Sequence, residues 1–132
     1  MVLVDANVLL DILTADSEWT AWSQGELVRA AGDGLAINPI IYAELCPAFR
    51  AEDELNAALS GWPLQQLPLP CEAAWPAAQA FAAYRLRGGA RTSPPPDFYI
   101  GAHAQVATLT LLTRDARRYR TYFPAVTMIC PS

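Results

Sequence analysis

Short apolar runs that alternate with helical patterns most constrain the fold of this chain. Residues 2–4 and 35–37 are entirely apolar, and residues 108–113 and 126–130 are largely β-branched or apolar. Apolar runs of this length without polar alternation are typical of strands buried on both faces of a parallel sheet. The sequence therefore predicts an α/β protein, a three-layer α/β/α fold with a central, mainly parallel sheet of four or five strands.

Helical patterns occupy most of the chain between these strands. The predicted helices cover residues 7–13, 18–31, 40–48, 52–59, 72–87, 97–107 and 116–122. Pro47 is expected to bend or end the third of them. Residues 65–69 form a weak further strand, and Pro68 places it at an edge of the sheet. The chain has 132 residues, of which 53% are hydrophobic, and it shows no repeat, so we expect one domain spanning residues 1–132.

The composition excludes several functions. All nine basic residues are arginine. Without lysine the chain cannot form a P-loop, a Schiff base or the acidic pocket of a response-regulator receiver, each of which uses a lysine. The net charge of −4 argues against a protein that coats nucleic acid by charge alone, although it allows a nucleic-acid enzyme whose acids bind cations.

The cysteines and the N-terminal segment indicate the compartment. Cys46, Cys71 and Cys130 lie far apart, which predicts small buried thiols in a reducing compartment rather than a disulfide or a zinc site. The N-terminus has no basic segment of the kind that begins a signal peptide, and no apolar run reaches the ~18 residues of a membrane helix. We therefore expect a cytoplasmic protein without a membrane segment.

Four carboxylates lie in apolar surroundings, where an unpaired charge is costly. Asp5 and Asp115 each follow directly on a predicted strand, Asp97 opens an apolar helix, and Glu44 lies inside the apolar stretch 40–45. Functional groups gather at the carboxyl ends of parallel strands, so we expect all four to meet at one edge of the sheet.

Such a cluster of carboxylates would form a site for a divalent cation. Hard oxygen ligands without His or Cys favour Mg²⁺ or Mn²⁺ over zinc, and these ions activate water and neutralise phosphate in phosphodiester hydrolysis. Asp5, at the centre of the sheet, is the natural bridging ligand if two ions bind. Asn7 and Thr113, beside Asp5 and Asp115, are predicted to hold a carboxylate or a water in place.

Other polar residues have less specific interpretations. Asp11, Asp16 and Glu18 are expected to be solvated charges near helix ends, with a supporting role for Asp11 as the weaker alternative. His103 lies six residues after the first acid of its helix, on a different face, so we expect it to pack rather than to act as a general base.

Four segments around these acids carry the sequence pattern of a known family. They are VLVDANVLLD at residues 2–11, YAEL at residues 42–45, DFYIGAHA at residues 97–104 and LLTRD at residues 111–115. In this order and over the whole chain, they resemble PIN-domain endoribonucleases, and most closely the VapC-type toxins of bacterial toxin–antitoxin pairs.

The resemblance implies a PIN fold and Mg²⁺- or Mn²⁺-dependent RNA cleavage by a metal-activated water, without a covalent intermediate. It also implies a homodimer and inhibition by a cognate VapB-type antitoxin. By position, Asp5, Glu44, Asp97 and Asp115 would be the catalytic and metal-binding acids. Whether one ion or two bind, and whether Glu44 and Asp115 bind directly or through water, stay open.

The arginines near the fourth acid have two interpretations. Arg114 either binds an RNA phosphate or lies on a solvated helix face, and the sequence favours neither. For Arg117, Arg118 and Arg120 a solvated face is the favoured interpretation. Three further arginines at positions 85, 87 and 91 border a proline-rich loop and are candidates for contact with RNA or antitoxin.

Two other functions are weighed against the ribonuclease. A haloacid-dehalogenase-like phosphatase also begins with an aspartate at a strand end. That family requires a second aspartate where this chain has Asn7, and it normally requires a lysine. A non-catalytic PIN module that binds RNA or protein is the other alternative, which the four intact acids disfavour.

Overall fold

Five parallel strands form one sheet in the computed structural model, which describes residues 1–132. The strands are β1 (Val2–Val4), β2 (Leu35–Ile37), β3 (Leu64–Gln66), β4 (Thr110–Leu112) and β5 (Met128–Ile129). Their order across the sheet is β3-β2-β1-β4-β5, and every neighbouring pair is parallel. The predicted parallel sheet is therefore confirmed, including the edge position of the strand that precedes Pro68.

Seven helices cover the two faces of the sheet and complete the three predicted layers. They are α1 (Ala6–Leu13), α2 (Thr20–Ala30), α3 (Pro39–Leu45), α4 (Glu52–Leu59), α5 (Ala74–Leu86), α6 (Pro96–Ala107) and α7 (Arg117–Tyr122). Helix α1 packs against α2 and α3, and α6 packs against α3, α5 and α7. As predicted from Pro47, α3 ends at Leu45, where a short 3-10 turn follows. None of the helices has both the length and the apolar character needed to cross a membrane.

The order of the strands creates a crevice beside the central strand. The chain passes from β1 through β2 to β3 on one side of the sheet and then returns to β4 on the other side of β1. In open parallel sheets, ligands bind where the direction of winding reverses, outside the carboxyl ends of the strands. Asp5 and Thr113 follow β1 and β4 at this point, and the Asp5 N–H donates to the Leu112 carbonyl at 2.9 Å.

Burial on both faces explains the apolar character of the strands. Every residue of β1 and β2 is buried, and these strands belong to a hydrophobic core of 27 buried residues. Full burial of a Val, Leu or Ile side chain stabilises the fold by about 1.5–3 kcal/mol. The core therefore fixes the sheet, and the sheet fixes the positions of the polar residues at its carboxyl edge.

A buried polar pair joins α6 to the start of α3. His103 is 2% exposed, and its Nδ1 lies 2.9 Å from the Nδ2 of Asn38. The Oδ1 of Asn38 accepts from the Ile41 N–H at 2.9 Å, which leaves Nδ2 as the donor to an unprotonated Nδ1. Burial lowers the pKa of His103. The predicted packing role of this histidine is therefore confirmed.

The cysteines are placed differently from the prediction. Cys46 and Cys71 are exposed and Cys130 is half-buried, all three as free thiols, so the expectation of buried thiols was wrong. Cys46 begins the turn after α3 and Cys71 begins the turn before α5. Turns run over the protein surface, and this places the thiols there although cysteine is usually a buried residue.

Candidate functional site

The four predicted acids line one cleft at the carboxyl edge of the sheet. The cleft has a volume of about 250 Å³, and its lining residues are Asp5, Ala6, Asn7, Leu10, Glu44, Asp97, Asp115 and Tyr119. The acids come from four different elements: the end of β1, the last turn of α3, the first turn of α6 and the loop after β4. The structure thus brings together residues that are separated by up to 110 positions in the sequence.

Asp5 is the most constrained of the four acids. It caps α1, where Oδ1 accepts from the Ala6 N–H at 2.8 Å, and it is only 6% exposed. Its Oδ2 accepts from the hydroxyls of Thr113 at 2.8 Å and Tyr119 at 2.9 Å. Burial raises the pKa of Asp5, the two hydroxyl donors offset part of the rise, and the charge of Asp97 adds to it.

Asn7 in the first turn of α1 and Thr113 directly after β4 hold the Asp5 carboxylate in place. The amide Nδ2 of Asn7 donates to Thr113 Oγ1 at 3.2 Å and lies 3.5 Å from Asp5 Oδ2. Its Oδ1 accepts from the backbone N–H of Arg114 at 3.0 Å, and Thr113 Oγ1 accepts from the N–H of Asp115 at 3.2 Å. These bonds tie the start of α1 to the loop after β4 and orient the central carboxylate.

Glu44 presents a carboxylate oxygen that nothing in the protein satisfies. Its side chain is half-buried on α3, and its Oε1 is buried without a hydrogen-bond partner. Burial, and then the charges of Asp5 and Asp97, raise the pKa of Glu44 to about 7. A buried carboxylate without a partner is costly, so this oxygen is suited to a cation.

Asp97 and Asp115 are each paired with an arginine of α7. Asp97 Oδ2 lies 3.3 Å from Arg118 Nη1, and Asp115 Oδ1 lies 3.3 Å from Arg117 Nε. Burial raises the pKa of Asp97 against the lowering effect of Arg118. The hydrogen bond from Arg117 lowers the pKa of Asp115, whose side chain is 57% exposed. Both acids therefore already form ion pairs, but these pairs are exposed to solvent and contribute little stability.

The donors of the cleft fit Mg²⁺ or Mn²⁺ by their chemistry. All four are hard carboxylate oxygens, one of them is buried without a partner, and burial, with repulsion from neighbouring acids adding to it, raises the pKa of Asp5, Glu44 and Asp97. No three His, Cys, Asp or Glu side chains are already spaced to hold one ion. Asp97 and Asp115 would have to turn away from their arginines to join Asp5 and Glu44 as ligands.

A model of the PIN domain family matches residues 2–124 of the chain. The chain belongs to the PIN domain family. The resemblance of its four segments to this family is confirmed at the level of the domain. No curated protein sequence matches the chain significantly, so the further comparisons rest on structure.

This PIN domain shares its fold with chains of solved toxin–antitoxin complexes. A chain of VapBC2 from Rickettsia felis, bound to a DNA fragment from the promoter, matches with a TM-score of 0.73 and 15% identity over 98% of both chains. A chain of DNA-bound VapBC from Salmonella typhimurium matches with a TM-score of 0.73 and 19% identity, covering 98% of this chain and 96% of that one. FitAcB from Neisseria gonorrhoeae has a TM-score of 0.67 and 22% identity, with coverages of 98% and 96%.

Tyr119 is a residue of the PIN-domain site that the sequence did not single out. It is 1% exposed and donates to Asp5 Oδ2. Burial, and then the charge of Asp5, raise the pKa of Tyr119 well above its usual value, which keeps the hydroxyl protonated and able to donate. Its spacing of three and four residues from Tyr122 and Phe123 marks an apolar face within a basic segment, and that spacing was the available signal.

Asp11 was wrongly expected to be a solvated charge. It is 3% exposed, and its two oxygens accept from Arg114 Nε at 2.9 Å and Nη2 at 3.0 Å. The hydroxyl of Ser23 on α2 donates to the same carboxylate at 2.7 Å, and the Arg114 guanidinium lies 5.2 Å from the ring centre of Trp19. Helix α2 packs over α1 and covers the carboxylate. The RNA-binding role of Arg114 stays a prediction, since the structure commits its guanidinium to Asp11.

Loss of Arg114 is expected to destabilise this PIN domain. Arg114→Ala leaves the Asp11 carboxylate buried without its cation, which should cost about 2 kcal/mol because the arginine is itself partly exposed. Urea denaturation measures the change. Arg117→Ala is the matched control, because it removes an arginine that is 90% exposed and should cost less than about 0.5 kcal/mol. Equal stability of the two variants would contradict a structural role for the Asp11 pair.

Glu44 is expected to make the metal-free PIN domain less stable as the pH rises. The pKa of this group is about 7 in the folded protein, above its ordinary value of 4.5. The folded state therefore binds more protons between these values, and its advantage is present at low pH and lost as the pH rises through about 7.

Thermal melts in EDTA from pH 5 to pH 8, compared with Glu44→Gln, measure this effect. After discounting for solvent screening, the wild type should lose roughly 3 °C in Tm relative to the variant over that range. If Tm changed with pH by the same amount in the two proteins, ionisation of Glu44 would not destabilise the fold.

Proposed function

We propose that this PIN domain is a Mg²⁺- or Mn²⁺-dependent endoribonuclease, the toxin of a VapBC-type toxin–antitoxin pair. The observation that carries the proposal is the environment of Asp5. This buried carboxylate is fixed by three donors at the reversal point of the sheet and shares its cleft with Glu44, Asp97 and Asp115. Membership of the PIN family and the fold shared with chains of VapBC complexes support it.

The acids of the cleft would have distinct roles in cleavage. Asp5 and Asp97 would hold the cation directly, and Glu44 and Asp115 would hold it directly or through water. A bound Mg²⁺ or Mn²⁺ supplies activation of water and neutralisation of phosphate charge. The hydroxyls of Thr113 and Tyr119 keep the Asp5 carboxylate in one orientation, so little reorganisation is needed when RNA binds.

The proposed partners follow from the same family. We infer that a VapB-type antitoxin binds and inhibits the toxin, that the toxin forms a homodimer and that it acts in the cytoplasm. Large apolar side chains stand exposed on two helices, with Val28 of α2 at 61%, Trp75 of α5 at 73% and Leu86 of α5 at 89%. Exposed aromatic and aliphatic side chains of this kind are suited to protein contacts.

Cleavage of RNA by the purified protein tests the proposal. Labelled single-stranded RNA should be cut at internal bonds in Mn²⁺ or Mg²⁺ and should stay intact in EDTA. Asp97→Asn should lose the cleavage, which excludes a contaminating ribonuclease. Hydrolysis of para-nitrophenyl phosphate without RNA cleavage would point instead to the phosphatase alternative.

A non-catalytic module is the second candidate, and two observations favour it. Asp97 and Asp115 are paired with arginines, and no three acids are already spaced to hold an ion. On this alternative the protein would bind RNA or a protein partner and leave every RNA intact in the presence of Mn²⁺. The cleavage assay therefore separates the two functions directly.

A further inference from the structure

A second groove opens beside the acidic cleft and shares two of its lining residues. It has a volume of about 460 Å³. We call it the arginine–tyrosine groove after the residues that define it, which are Tyr84, Arg117, Arg118 and Tyr122, with Asp97 and Asp115 at its border. Because those two acids also line the acidic cleft, an RNA strand bound across the cleft would continue into the groove.

The groove lies in the basic part of an acidic protein. Seven of the nine arginines lie between positions 85 and 120, at positions 85, 87, 91, 114, 117, 118 and 120. The guanidinium of Arg87 lies 5.3 Å from the ring centre of Tyr122, and that of Arg118 lies 5.9 Å from the ring centre of Tyr84. Guanidinium groups recognise phosphate and aromatic rings stack on bases, so this combination suits a single-stranded nucleotide.

Arg118 stands between the cleft and the groove. Its Nη1 contacts Asp97 at 3.3 Å, and the two side chains are 35% and 34% exposed. Its guanidinium also lies 5.7 Å from the ring centre of Phe98, which holds the arginine near both sites. An accessible pair of this kind is weak, so a stronger ligand for the carboxylate can displace the arginine.

We propose that the arginine–tyrosine groove binds the RNA nucleotide next to the cleaved phosphodiester, and that Arg118 and the divalent cation compete for Asp97. When Asp97 is engaged by the cation, Arg118 is free to bind an RNA phosphate. Cation and RNA therefore bind cooperatively, and Arg118 carries part of the coupling. This inference rests on the proposed ribonuclease function and adds to it a substrate subsite and a switch residue.

The two roles of Arg118 predict changes of opposite sign. Arg118→Gln removes the competitor for Asp97, so Mn²⁺ should bind about threefold more tightly. The same substitution removes a phosphate contact, so RNA should bind roughly tenfold more weakly. By linkage, the factor by which the cation strengthens RNA binding should fall as well. A variant that merely damaged the fold would weaken both interactions.

The experiment compares four proteins, the wild type, Arg118→Gln, Arg118→Lys and Arg120→Gln. Arg120 is the matched control, since it lies on the same helix, contacts Cys130 Sγ at 3.1 Å and is absent from the lining of the groove. Isothermal titration calorimetry without RNA measures Mn²⁺ affinity. Fluorescence anisotropy of a fluorescein-labelled single-stranded RNA, in EDTA and in Ca²⁺, measures RNA affinity and its coupling to the cation.

The expected result is tighter Mn²⁺ binding and weaker RNA binding in Arg118→Gln, wild-type values in Arg120→Gln, and RNA binding largely kept in Arg118→Lys. Thermal melts check that Arg118→Gln is folded. If it is not, the wild type still tests the inference, because equal RNA affinity in EDTA and in Ca²⁺ would overturn the proposed cooperativity. Unchanged Mn²⁺ and RNA affinities in Arg118→Gln would overturn the inference. Both measurements are of equilibrium binding and do not depend on cleavage. An absence of RNA cleavage by the wild type would instead overturn the proposed function.

Discussion

Asp5→Asn is expected to reduce the rate of RNA cleavage by about 10³-fold or more while leaving the fold intact. The carboxylate lies at the centre of the acidic cleft, and a bound cation contributes several kcal/mol of charge stabilisation in phosphodiester hydrolysis. An amide has the same shape but no charge for the cation. The hydroxyl of Tyr119, which donates to Asp5, can rotate and accept from an amide instead. The hydroxyl of Thr113 can turn to the carbonyl of Asp115, which lies 3.3 Å away, so the packing survives.

Initial rates with a labelled RNA in Mn²⁺, together with circular dichroism melts, measure both parts of this expectation. Asp53→Asn is the matched control, because it makes the same change of charge at an exposed position in the first turn of α4. It should cleave at the wild-type rate. If Asp5→Asn kept more than about a tenth of the activity, less than ~1.4 kcal/mol of barrier would depend on the charge, and Asp5 would not be a catalytic ligand.

Gly101→Ala is expected to cause a large loss of stability. A Cβ at this position of α6 would lie 2.4 Å from Cδ2 and 2.7 Å from Cε2 of Phe123. That ring is 1% exposed and packs against Phe98 at a centroid distance of 6.2 Å, so it has little room to move. Overpacking of this kind should cost about 3 kcal/mol, or roughly 10 °C in Tm.

Urea denaturation and thermal melts check this value against a glycine that has space. Gly25 lies within α2, and a Cβ there would meet only Arg29 Nη2 at 3.5 Å, which is ordinary contact. Gly25→Ala should stabilise the protein by up to about 1 kcal/mol through helix propensity. Equal effects of the two substitutions would show that the Phe123 ring can move away from α6 at little cost in stability.

The sheet and the placement of its acids were predictable because they depend on local patterns. β1 and β2 are apolar throughout, and this marks strands covered on both faces. Asp5 interrupts the apolar pattern at the end of β1, at the edge of a parallel sheet where ligands usually bind. The prediction extended to Glu44 and Asp97 because they too interrupt apolar segments.

Apart from Asn7 and Thr113, the partners of the acidic residues were not predictable, because they come from distant parts of the chain. Asp11 pairs with Arg114, which lies 103 residues away, and neither residue alone indicates the other. Tyr119 lies among the arginines of segment 117–120, and only the folded structure shows that its hydroxyl donates to Asp5. The cysteines were misplaced for a related reason, since the general preference of cysteine for the interior did not reveal the surface turns in which Cys46 and Cys71 lie.

A crystal soaked in Mn²⁺ tests the proposed cation site most directly. An anomalous difference map at the manganese edge locates the ion without any assumption about activity. We expect a peak in the acidic cleft within about 2.0–2.4 Å of carboxylate oxygens from Asp5 and Asp97, with Arg118 displaced from Asp97. A map with no peak in the cleft at saturating Mn²⁺, or with Arg118 still paired to Asp97, would contradict this expectation.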